Sequence, residues 1–486
     1  MIGKQDRGQR TLFIPGDIED LVPPDHILKR VDGVLDLSWL RKEVEDTYCL
    51  DNGRPGIDPE AAVRLMLAGF FQGIVHDRKL MREAQVNIAI RWFAGFQLHE
   101  KVPHHSALTR IRQRWGVERF RRIFERTVKA CIDANLVSGD TVHVDSTLVR
   151  ADVSWESLTI RHADRVVEEN SIHDQEDSGN ANTPKKLGRP RKHPKQPKKY
   201  SKTDPDATLS TANKKNRMEP TYKQHTVSDD RAGVIVDVEL TTGEVSEGNK
   251  LVEVVDRTQA TMGRKIERLT ADMAYAHPRN YQALEERDID PVIPAKQQRT
   301  NSRGVPLSRF KYDAKNEIVT CPAGKKLHKK GYQRNGWNYS TSTAVCQQCP
   351  LCQHCVPSTV KHRTVRITDG YEALTRARRR KLKGWDDETK LLYKRHKWRV
   401  EGAHGEAKTQ HGLRRAVRRG IGNVAIQVYL TAAVMNLKRL AALLSLFYRL
   451  TRLWERRAEA RKSIFRDYSA DYVSVSYMMN DAVLAA

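Results

Sequence analysis

The chain is a long, strongly basic polypeptide: its 486 residues include 85 lysines and arginines against 60 aspartates and glutamates, a net charge of +25. This length allows two to four domains, and a hydrophobic content of 39% can fill sizeable cores. So large an excess of positive charge predicts a nucleic acid partner, because lysines and arginines that neutralise phosphates release counterions.

Neither a secretory signal nor a membrane span is predicted. Residues 1–7 are polar and lack the apolar core of a signal peptide. The longest apolar region, residues 424–448, is interrupted by Asn436, Lys438 and Arg439, so it predicts a buried helix rather than a transmembrane one. We therefore expect a cytoplasmic protein that acts on DNA in the same compartment.

The first 139 residues predict a docking segment followed by a helical domain. Asp58 is a favourable N-cap with Pro59 at the first helical position, and helical patterns follow to about Leu136. A short helix from about His105 carries three arginines that can reach phosphates or base edges: Arg110, Arg112 and Arg114. This helix is either a helix-turn-helix-like reader of DNA or part of an ordinary bundle with a solvated arginine face.

The segment Thr141–Thr147 predicts a strand, because β-branched residues alternate with polar ones. In such a strand His143, Asp145 and Thr147 share one face. A long polar region follows, and residues 184–202 contain nine lysines or arginines and no acidic residue. Within it Arg189 and Arg191 stand in a Gly-Arg-Pro sequence that is either similar to an AT-hook core or simply a flexible basic linker.

Alternating strands and helices resume at Tyr222. A hairpin over about residues 222–240 is followed by a helix to Met262 and by a buried strand that ends at Ala271. Asp272 comes directly after this strand, at a turn before a helix opened by Pro278.

An insertion from about Lys296 to Ile367 contains a cysteine cluster, whereas Cys49 and Cys131 stand alone. In a reducing cytosol such clusters indicate metal or redox chemistry before disulfides. Two Cys-x-x-Cys pairs and one distant cysteine predict a structural zinc site that comprises Cys321, Cys346, Cys349, Cys352 and Cys355. Five thiols exceed the four positions of a tetrahedral ion, so either one cysteine is spare or His354 or His328 joins the ligands. The alternative is a zinc-free β-insert in which the thiols pack.

A long helix is predicted from Gly384, and on it Glu401, His404, Lys408 and His411 line one face. Glycines within and just after it cost helix stability, about 1 kcal/mol each, and their small size would let a DNA backbone or the sheet approach. The helix and the segment after it offer a basic surface for DNA that comprises Arg395, Arg399, Lys408, Arg414 and Arg415.

Two aspartates at strands and one helical glutamate form a set suited to Mg²⁺, which prefers oxygen ligands and keeps positions open for water and phosphate. Two such ions about 3.5–4 Å apart can stabilise the attacking and leaving oxygens of a phosphoryl displacement. A single aspartate after a strand is more often a turn or cap residue, so the prediction depends on Asp145, Asp272 and Glu401 acting together.

Three ordered segments resemble the DDE transposases of bacterial insertion sequences: His143–Thr147, Thr270–Tyr275 and Arg399–Lys408, the last followed by Gly412-Leu-Arg-Arg. The resemblance covers roughly residues 25–447. One departure is Met273-Ala274, where many relatives have a glycine.

The resemblance implies an RNase H-like core in which Asp145, Asp272 and Glu401 bind catalytic Mg²⁺, for which Mn²⁺ can substitute. It implies cleavage at element ends and joining of the 3′-OH ends to target DNA by two-metal-ion phosphoryl transfer. The partners are then double-stranded DNA and further copies of the chain, a dimer or more when two ends are held together. A nuclease on the same fold and a catalytically inactive DNA-binding regulator remain as alternatives.

The expected fold is α/β, an RNase H-like mixed sheet flanked by helices, with an N-terminal all-helical domain and a cysteine-rich insertion. The predicted boundaries are a docking segment (1–55), a helical DNA-binding domain (56–139), a first core part (140–295) with a basic insertion (152–220), the cysteine-rich insertion (296–375), a second core part (376–450) and a basic to polar tail (451–486).

Overall fold

A computed structural model describes residues 16–49, 56–153, 158–161, 198–210, 219–296, 305–333, 335–358 and 360–443, with only the backbone of 158–161 and 198–200. The chain divides into two compact units: residues 1–115 with 433–486, and residues 116–432. Within the described ranges, no helix combines the length and the apolar character that a bilayer span requires.

The first unit is helical, as predicted for its residues up to 115. Its helices are α1 (Ile27–Asp32), α2 (Leu40–Val44), α3 (Pro59–Phe71), α4 (Asp77–Val86), α5 (Ile88–Phe93) and the first part of α6 (His105–Asp133). The predicted cap of α3 is confirmed, because the Asp58 carboxylate accepts hydrogen bonds from the backbone N–H groups of Glu60 and Ala61. Helix α6 breaks at Gly116, where φ is +72°.

The central sheet of the second unit contains β1 (Thr141–Arg150), β4 (Thr208–Leu209), β5 (Pro220–Asp229), β6 (Ile235–Thr242), β7 (Arg268–Ala271) and β8 (Asp290–Val292). Two further strands, β2 (Leu158–Arg161) and β3 (Lys198–Ser201), form a separate pair. In the main sheet β1 lies between the antiparallel hairpin β5–β6 and the parallel strands β7 and β8, and β4 pairs with the start of β5. This strand order is that of the RNase H-like fold, so the predicted fold class is confirmed.

Two helices follow the hairpin in the order predicted: α7 (Leu251–Met262) and α8 (Pro278–Glu286). Helix α7 buries an apolar stripe and packs against β6. It ends at Gly263, where a left-handed φ of +62° suits glycine. The chain therefore returns to the sheet through short turns, which places the start of β7 beside β1.

The cysteine-rich insertion forms its own antiparallel sheet in the order β13–β12–β11–β10–β9. Its strands and short helices are β9 (Lys311–Asp313), β10 (Ile318–Thr320), β11 (Lys326–Tyr332), β12 (Gly336–Ser340), α9 (Thr343–Gln347), α10 (Cys352–Cys355) and β13 (Thr364–Thr368). The insertion has a core of its own, built from Phe310, Val319, Leu327, Tyr339, Val365 and Ile367.

The chain then enters α11 (Tyr371–Lys383), which packs on α8, and α12 (Asp387–His396). A π-helical turn (Lys397–Glu401) continues α12 directly into α13 (Gly402–Thr409). Residues 421–443 form α14, and its buried positions agree with the helix predicted for the longest apolar region.

Candidate active site

Asp145 and Asp272 lie side by side on neighbouring strands. The parallel pairing of β1 with β7 ends at Val144 opposite Ala271, and the two aspartates are the next residue on each strand. Neighbouring strands run about 4.8 Å apart. The Asp272 carboxylate accepts a hydrogen bond of 2.7 Å from the backbone N–H of Ala274 and so caps the short helix Met273–Tyr275. The turn therefore forms without the glycine found in many relatives.

Glu401 is far from both aspartates in sequence, and it is the last residue of the π-helical turn. This turn packs against β1 and β5 through the fully buried Val400, while Glu401 itself is exposed. A π turn holds one residue more than an α turn and often occurs at functional sites. A Cβ added at Gly402 or Gly405 would meet no atom within 4 Å. The helix is therefore open beside Glu401, and the sheet does not make the close approach considered for these glycines.

The charges of these carboxylates act on one another. Burial raises the pKa of Asp145 to about 7; a hydrogen bond from the backbone of Ser146 opposes this rise, and the charges of Asp272, Glu247 and Glu401 add to it. The Asp145 side chain is 18% exposed. A set of acidic groups that repel one another in this way fits a site for cations.

Glu247 is a fourth carboxylate at this site that sequence reasoning missed. It begins the short helix Glu247–Asn249, which packs against the Met273–Tyr275 turn. Its side chain is 22% exposed, and Lys223 lies 3.6 Å from it. No periodic pattern points to this residue, because it stands in a turn-rich stretch, Thr242-Gly-Glu-Val-Ser-Glu-Gly.

Two tyrosines border the acidic group. Burial raises the pKa of Tyr275 well above its ordinary value, and the charges of Asp145, Glu247 and Asp272 raise it further. The pKa of Tyr393 is raised in the same way, by burial and then by Asp272, Asp145 and Glu401. Both phenols therefore keep their protons and can act as hydrogen-bond donors.

In the part of the chain that the structure describes, Asp145, Asp272 and Glu401 form no ion pair with a lysine or an arginine. Other buried acids are paired: Asp237 with Arg257 at 2.7 Å, for example. The nearest basic group to Asp145 is His404, 3.8 Å away. Burial lowers the pKa of this imidazole to about 3, so it carries no charge at neutral pH.

Polar side chains of α13 contact the sheet next to the acids. The Lys408 ammonium donates a hydrogen bond of 2.6 Å to the Thr147 hydroxyl, and burial lowers the pKa of this lysine. His404 Nε2 lies 3.0 Å from the Thr226 hydroxyl. The helix ends at Thr409, so the predicted face that Glu401 shares with His404 and Lys408 does not extend to His411.

The arginines predicted to bind DNA in the first unit differ in exposure. Arg110 and Arg114 are exposed, and Arg114 stacks over the Tyr48 ring at 4.7 Å. Arg112 is 3% exposed and forms two hydrogen bonds, of 2.7 and 2.8 Å, with the Asp77 carboxylate. The prediction for Arg112 is therefore corrected: this side chain serves an internal ion pair.

The arginines near the acidic site also differ in their exposure and in the contacts that they already make within the chain. Arg395 forms two hydrogen bonds with Asp230, and Arg399 donates to a backbone carbonyl. Arg414 is exposed, and Arg415 is 55% exposed although it pairs with Asp152. The predicted residues Arg189 and Arg191 lie outside the described residues.

The five clustered cysteines line one small cavity: Cys321, Cys346, Cys349, Cys352 and Cys355. All are free thiols, so none is joined in a disulfide. The turn at Cys321 is tight, because the backbone N–H of Lys325 donates to the Cys321 sulfur at 3.3 Å and Gly324 adopts a φ of +74°. The fold therefore brings the distant Cys321 to the two Cys-x-x-Cys pairs.

In the described structure, neither the carboxylates at the sheet nor the cysteines of the insertion surround a position for a metal ion. Among the described residues, no group of three or more histidines, cysteines, aspartates or glutamates holds its ligand atoms in a metal-binding arrangement. At both places the composition fits a metal, with oxygen donors at the sheet and thiols in the insertion.

Two segments of the chain match known protein families. Residues 16–114 match a transposase domain (DUF772), and residues 320–441 match a transposase DDE domain. The second match contains Glu401 and the cysteine cluster. No curated protein matches the chain.

Solved structures similar to the chain are also transposases. A Mos1 transposase paired-end complex with the left transposon end is 13% identical, with a TM-score of 0.15, and the match covers 52% of this chain and 65% of that one. A piggyBac synaptic complex with hairpin DNA is 9% identical, with a TM-score of 0.30, and the match covers 86% and 78%. A Mos1 mariner paired-end complex with Mn is 11% identical, with a TM-score of 0.17, and the match covers 77% and 86%. Because the TM-scores are so low, the fold assignment rests on the strand order described above.

Proposed function

We propose that this chain, a DDE transposase by its two family domains, cleaves DNA at the ends of a mobile element and joins the freed 3′-OH to target DNA. One observation carries the proposal. Carboxylates from β1, from the end of β7 and from the turn before α13 act on one another electrostatically where β7 ends, and none forms an ion pair with a lysine or an arginine among the described residues. Divalent cations are the charges such a site lacks, and bound cations would in turn attract the phosphates of DNA.

Asp145, Asp272 and Glu401 are the residues that would hold the divalent metal. Bound Mg²⁺ or Mn²⁺ would supply Lewis acid chemistry, stabilising the attacking and leaving oxygens of a phosphoryl displacement. The protein's part is to hold the two aspartates next to each other and to bring the glutamate side chain toward them, and a bound cation would favour the ionised form of Asp145. The exposed position of Glu401 on an open helix face leaves room for that movement.

Basic side chains near the carboxylates support DNA as the substrate. Lys408 is held beside β1 by Thr147, where it can bind a phosphate next to the reacting one. Arg414 and Arg415 continue this basic surface after α13. We infer that Arg110 and Arg114 of the first unit contact the element end, and that two ends require a dimer or a larger assembly.

We further propose that the cysteine cluster binds one structural zinc ion. Four thiols complete a tetrahedral site, and the fifth is spare. All five thiols line the same cavity, so any four of them can supply the ligands. The thiols must close in on the ion, because they do not surround a metal position in the described structure.

The proposed function can be tested with labelled DNA from the sequences that flank the gene. Wild-type protein with Mg²⁺ should cleave this DNA at a fixed position, and Asp272→Asn should not. Asp288→Asn is the matched control, because Asp288 is 91% exposed and pairs only with Lys265. Equal cleavage by wild type and Asp272→Asn would remove Asp272 from the site, and cleavage without a fixed position would indicate a nuclease.

A further inference from the structure

A continuous line of hydrogen bonds in the second unit includes the residues that stand two positions before Asp145 and Asp272 in the sequence. Arg395 donates two bonds to the Asp230 carboxylate, and His143 Nε2 lies 2.9 Å from the same carboxylate. His143 Nδ1 lies 2.7 Å from the Thr270 hydroxyl, and that hydroxyl lies 2.8 Å from His396 Nδ1. His143 and Thr270 are fully buried, and His396 is 6% exposed.

When both imidazoles are neutral, the donors and acceptors of this line allow only one assignment of the protons to the ring nitrogens. Asp230 is held ionised by Arg395 and only accepts, so His143 must carry its proton on Nε2. His143 Nδ1 is then an acceptor, and the Thr270 hydroxyl donates a hydrogen bond to it. The Thr270 oxygen in turn accepts from His396, which carries its proton on Nδ1. His143 and Thr270 therefore each donate one hydrogen bond and accept one, and the Thr270 hydroxyl links the imidazole on β1 to the imidazole at the end of α12.

The line joins the three elements that carry the proposed metal ligands. His143 precedes Asp145 by two positions on β1, so the two share a face of that strand. Thr270 lies in β7, two positions before Asp272, which follows the end of the strand. His143 and Thr270 are also paired directly in the sheet register. His396 is the last residue of α12 and leads straight into the turn that ends at the glutamate.

Two further contacts join α13, the helix that follows Glu401, to the sheet. His404 bonds to Thr226, and Thr226 is the residue opposite Asp145 in the antiparallel pairing of β1 with β5. Lys408 bonds to Thr147 on β1. Three threonine hydroxyls on three strands therefore each hold one side chain of the segment from α12 to α13.

We propose that the Thr270 hydroxyl is the positioning residue of the carboxylate site: by bonding both His143 and His396 it fixes the separation of the two aspartates and the placement of the glutamate helix. This inference rests on the proposed function, because it concerns the same site. Partners behind metal ligands usually change metal affinity about 10–100-fold when they are removed. Valine has the shape of threonine without the hydroxyl, so Thr270→Val isolates its effect, and Thr270→Ser restores the hydroxyl.

The test is Mn²⁺ binding to the full chain without DNA, followed by the electron paramagnetic resonance signal of free Mn²⁺. Thr270→Val should weaken the binding that depends on Asp145 by at least about 10-fold, whereas Thr270→Ser should stay within about 2-fold of wild type. Thr258→Val is the matched control, because Thr258 is also fully buried but bonds only to the carbonyl of Val254 in its own helix. It should bind Mn²⁺ as the wild type does.

A second variant covers the case in which Thr270→Val does not fold. His396→Phe keeps a ring of similar size and cuts only the link to the helix, so it should weaken Mn²⁺ binding as well. Wild-type affinity in folded Thr270→Val, or in folded His396→Phe, would overturn the inference while the proposed function stands. A wild-type protein whose Mn²⁺ binding is unchanged by Asp145→Ala would overturn the metal site of the proposed function itself.

Discussion

Replacing Asp145 by asparagine should stabilise the metal-free protein while abolishing its proposed cleavage activity. The carboxylate is largely buried and has no charged basic partner in the described structure, and burial together with the charges of other acids raises its pKa to about 7. Asparagine keeps the size and the hydrogen-bonding capacity of the side chain but carries no charge. A gain in stability with a loss of function is typical of residues retained for chemistry rather than for folding.

The magnitude follows from the two pKa values of Asp145. Its folded value of about 7 exceeds the ordinary 3.8, so the folded protein holds this proton more tightly than the unfolded chain does. Stability is therefore lost as the pH rises from about 4 to about 7, and the loss is complete above that range. About three pKa units correspond to about 4 kcal/mol. We expect Asp145→Asn to gain about 2–4 kcal/mol at pH 8 and almost nothing near pH 4.

Urea unfolding in a chelator, at pH 8 and near pH 4, measures this gain. Asp230→Asn is the control, and its effect on stability should be the opposite one. The hydrogen bonds and charges of His143 and Arg395 outweigh the burial of Asp230 and lower its pKa. The variant should therefore lose stability at pH 8. Adding Mg²⁺ should stabilise the wild type and leave Asp145→Asn unchanged. If Asp145→Asn is destabilised at pH 8, or if Mg²⁺ stabilises it as strongly as the wild type, the electrostatic reasoning is wrong.

Three further predictions concern the rest of the molecule. Lys408→Ala should reduce the slope of log affinity against log salt concentration by about one phosphate contact, measured by DNA binding at several salt concentrations. Elemental analysis should find one zinc per chain in the wild type and in Cys49→Ser but none in the double variant Cys346→Ser, Cys349→Ser, which keeps three of the five clustered thiols, and a wild type free of zinc would contradict the zinc proposal. Arg112→Ala should destabilise the first unit by about 1.5–3 kcal/mol because it removes the charged hydrogen bonds of a buried guanidinium with Asp77, whereas the exposed Arg110→Ala should weaken DNA binding at unchanged melting temperature.

Much of the core can be predicted because its signals are local. The β-branched alternation around Asp145 predicts β1, and the stretch that ends at Ala271, directly before Asp272, predicts β7. Pro278 marks the start of α8, and the alternating runs around residues 222–240 predict the hairpin. Each of these elements is specified by side chains within one stretch of sequence, so the pattern alone carries the information.

The rest of the site depends on contacts between distant residues. Glu247 joins the acids only because its turn packs on the turn after β7, and nothing in its own stretch indicates this. The bond between His143 and Thr270 requires the parallel register of two strands, which a single sequence does not define. Arg112 resembles its exposed neighbours in sequence, and only Asp77, on another helix, shows that it is buried. The π turn before Gly402 likewise has no residue pattern of its own.

The most direct test of the central claim is the joining of pre-cleaved, 3′-OH-ended element DNA to a supercoiled plasmid in Mg²⁺. The proteins to compare are the wild type, Glu401→Gln and Asp387→Asn, whose substituted aspartate lies at the start of α12 and is 99% exposed. The wild type and Asp387→Asn should produce joined products, and Glu401→Gln should produce none. Joining by Glu401→Gln at the wild-type rate would contradict the claim that three carboxylates form one catalytic site.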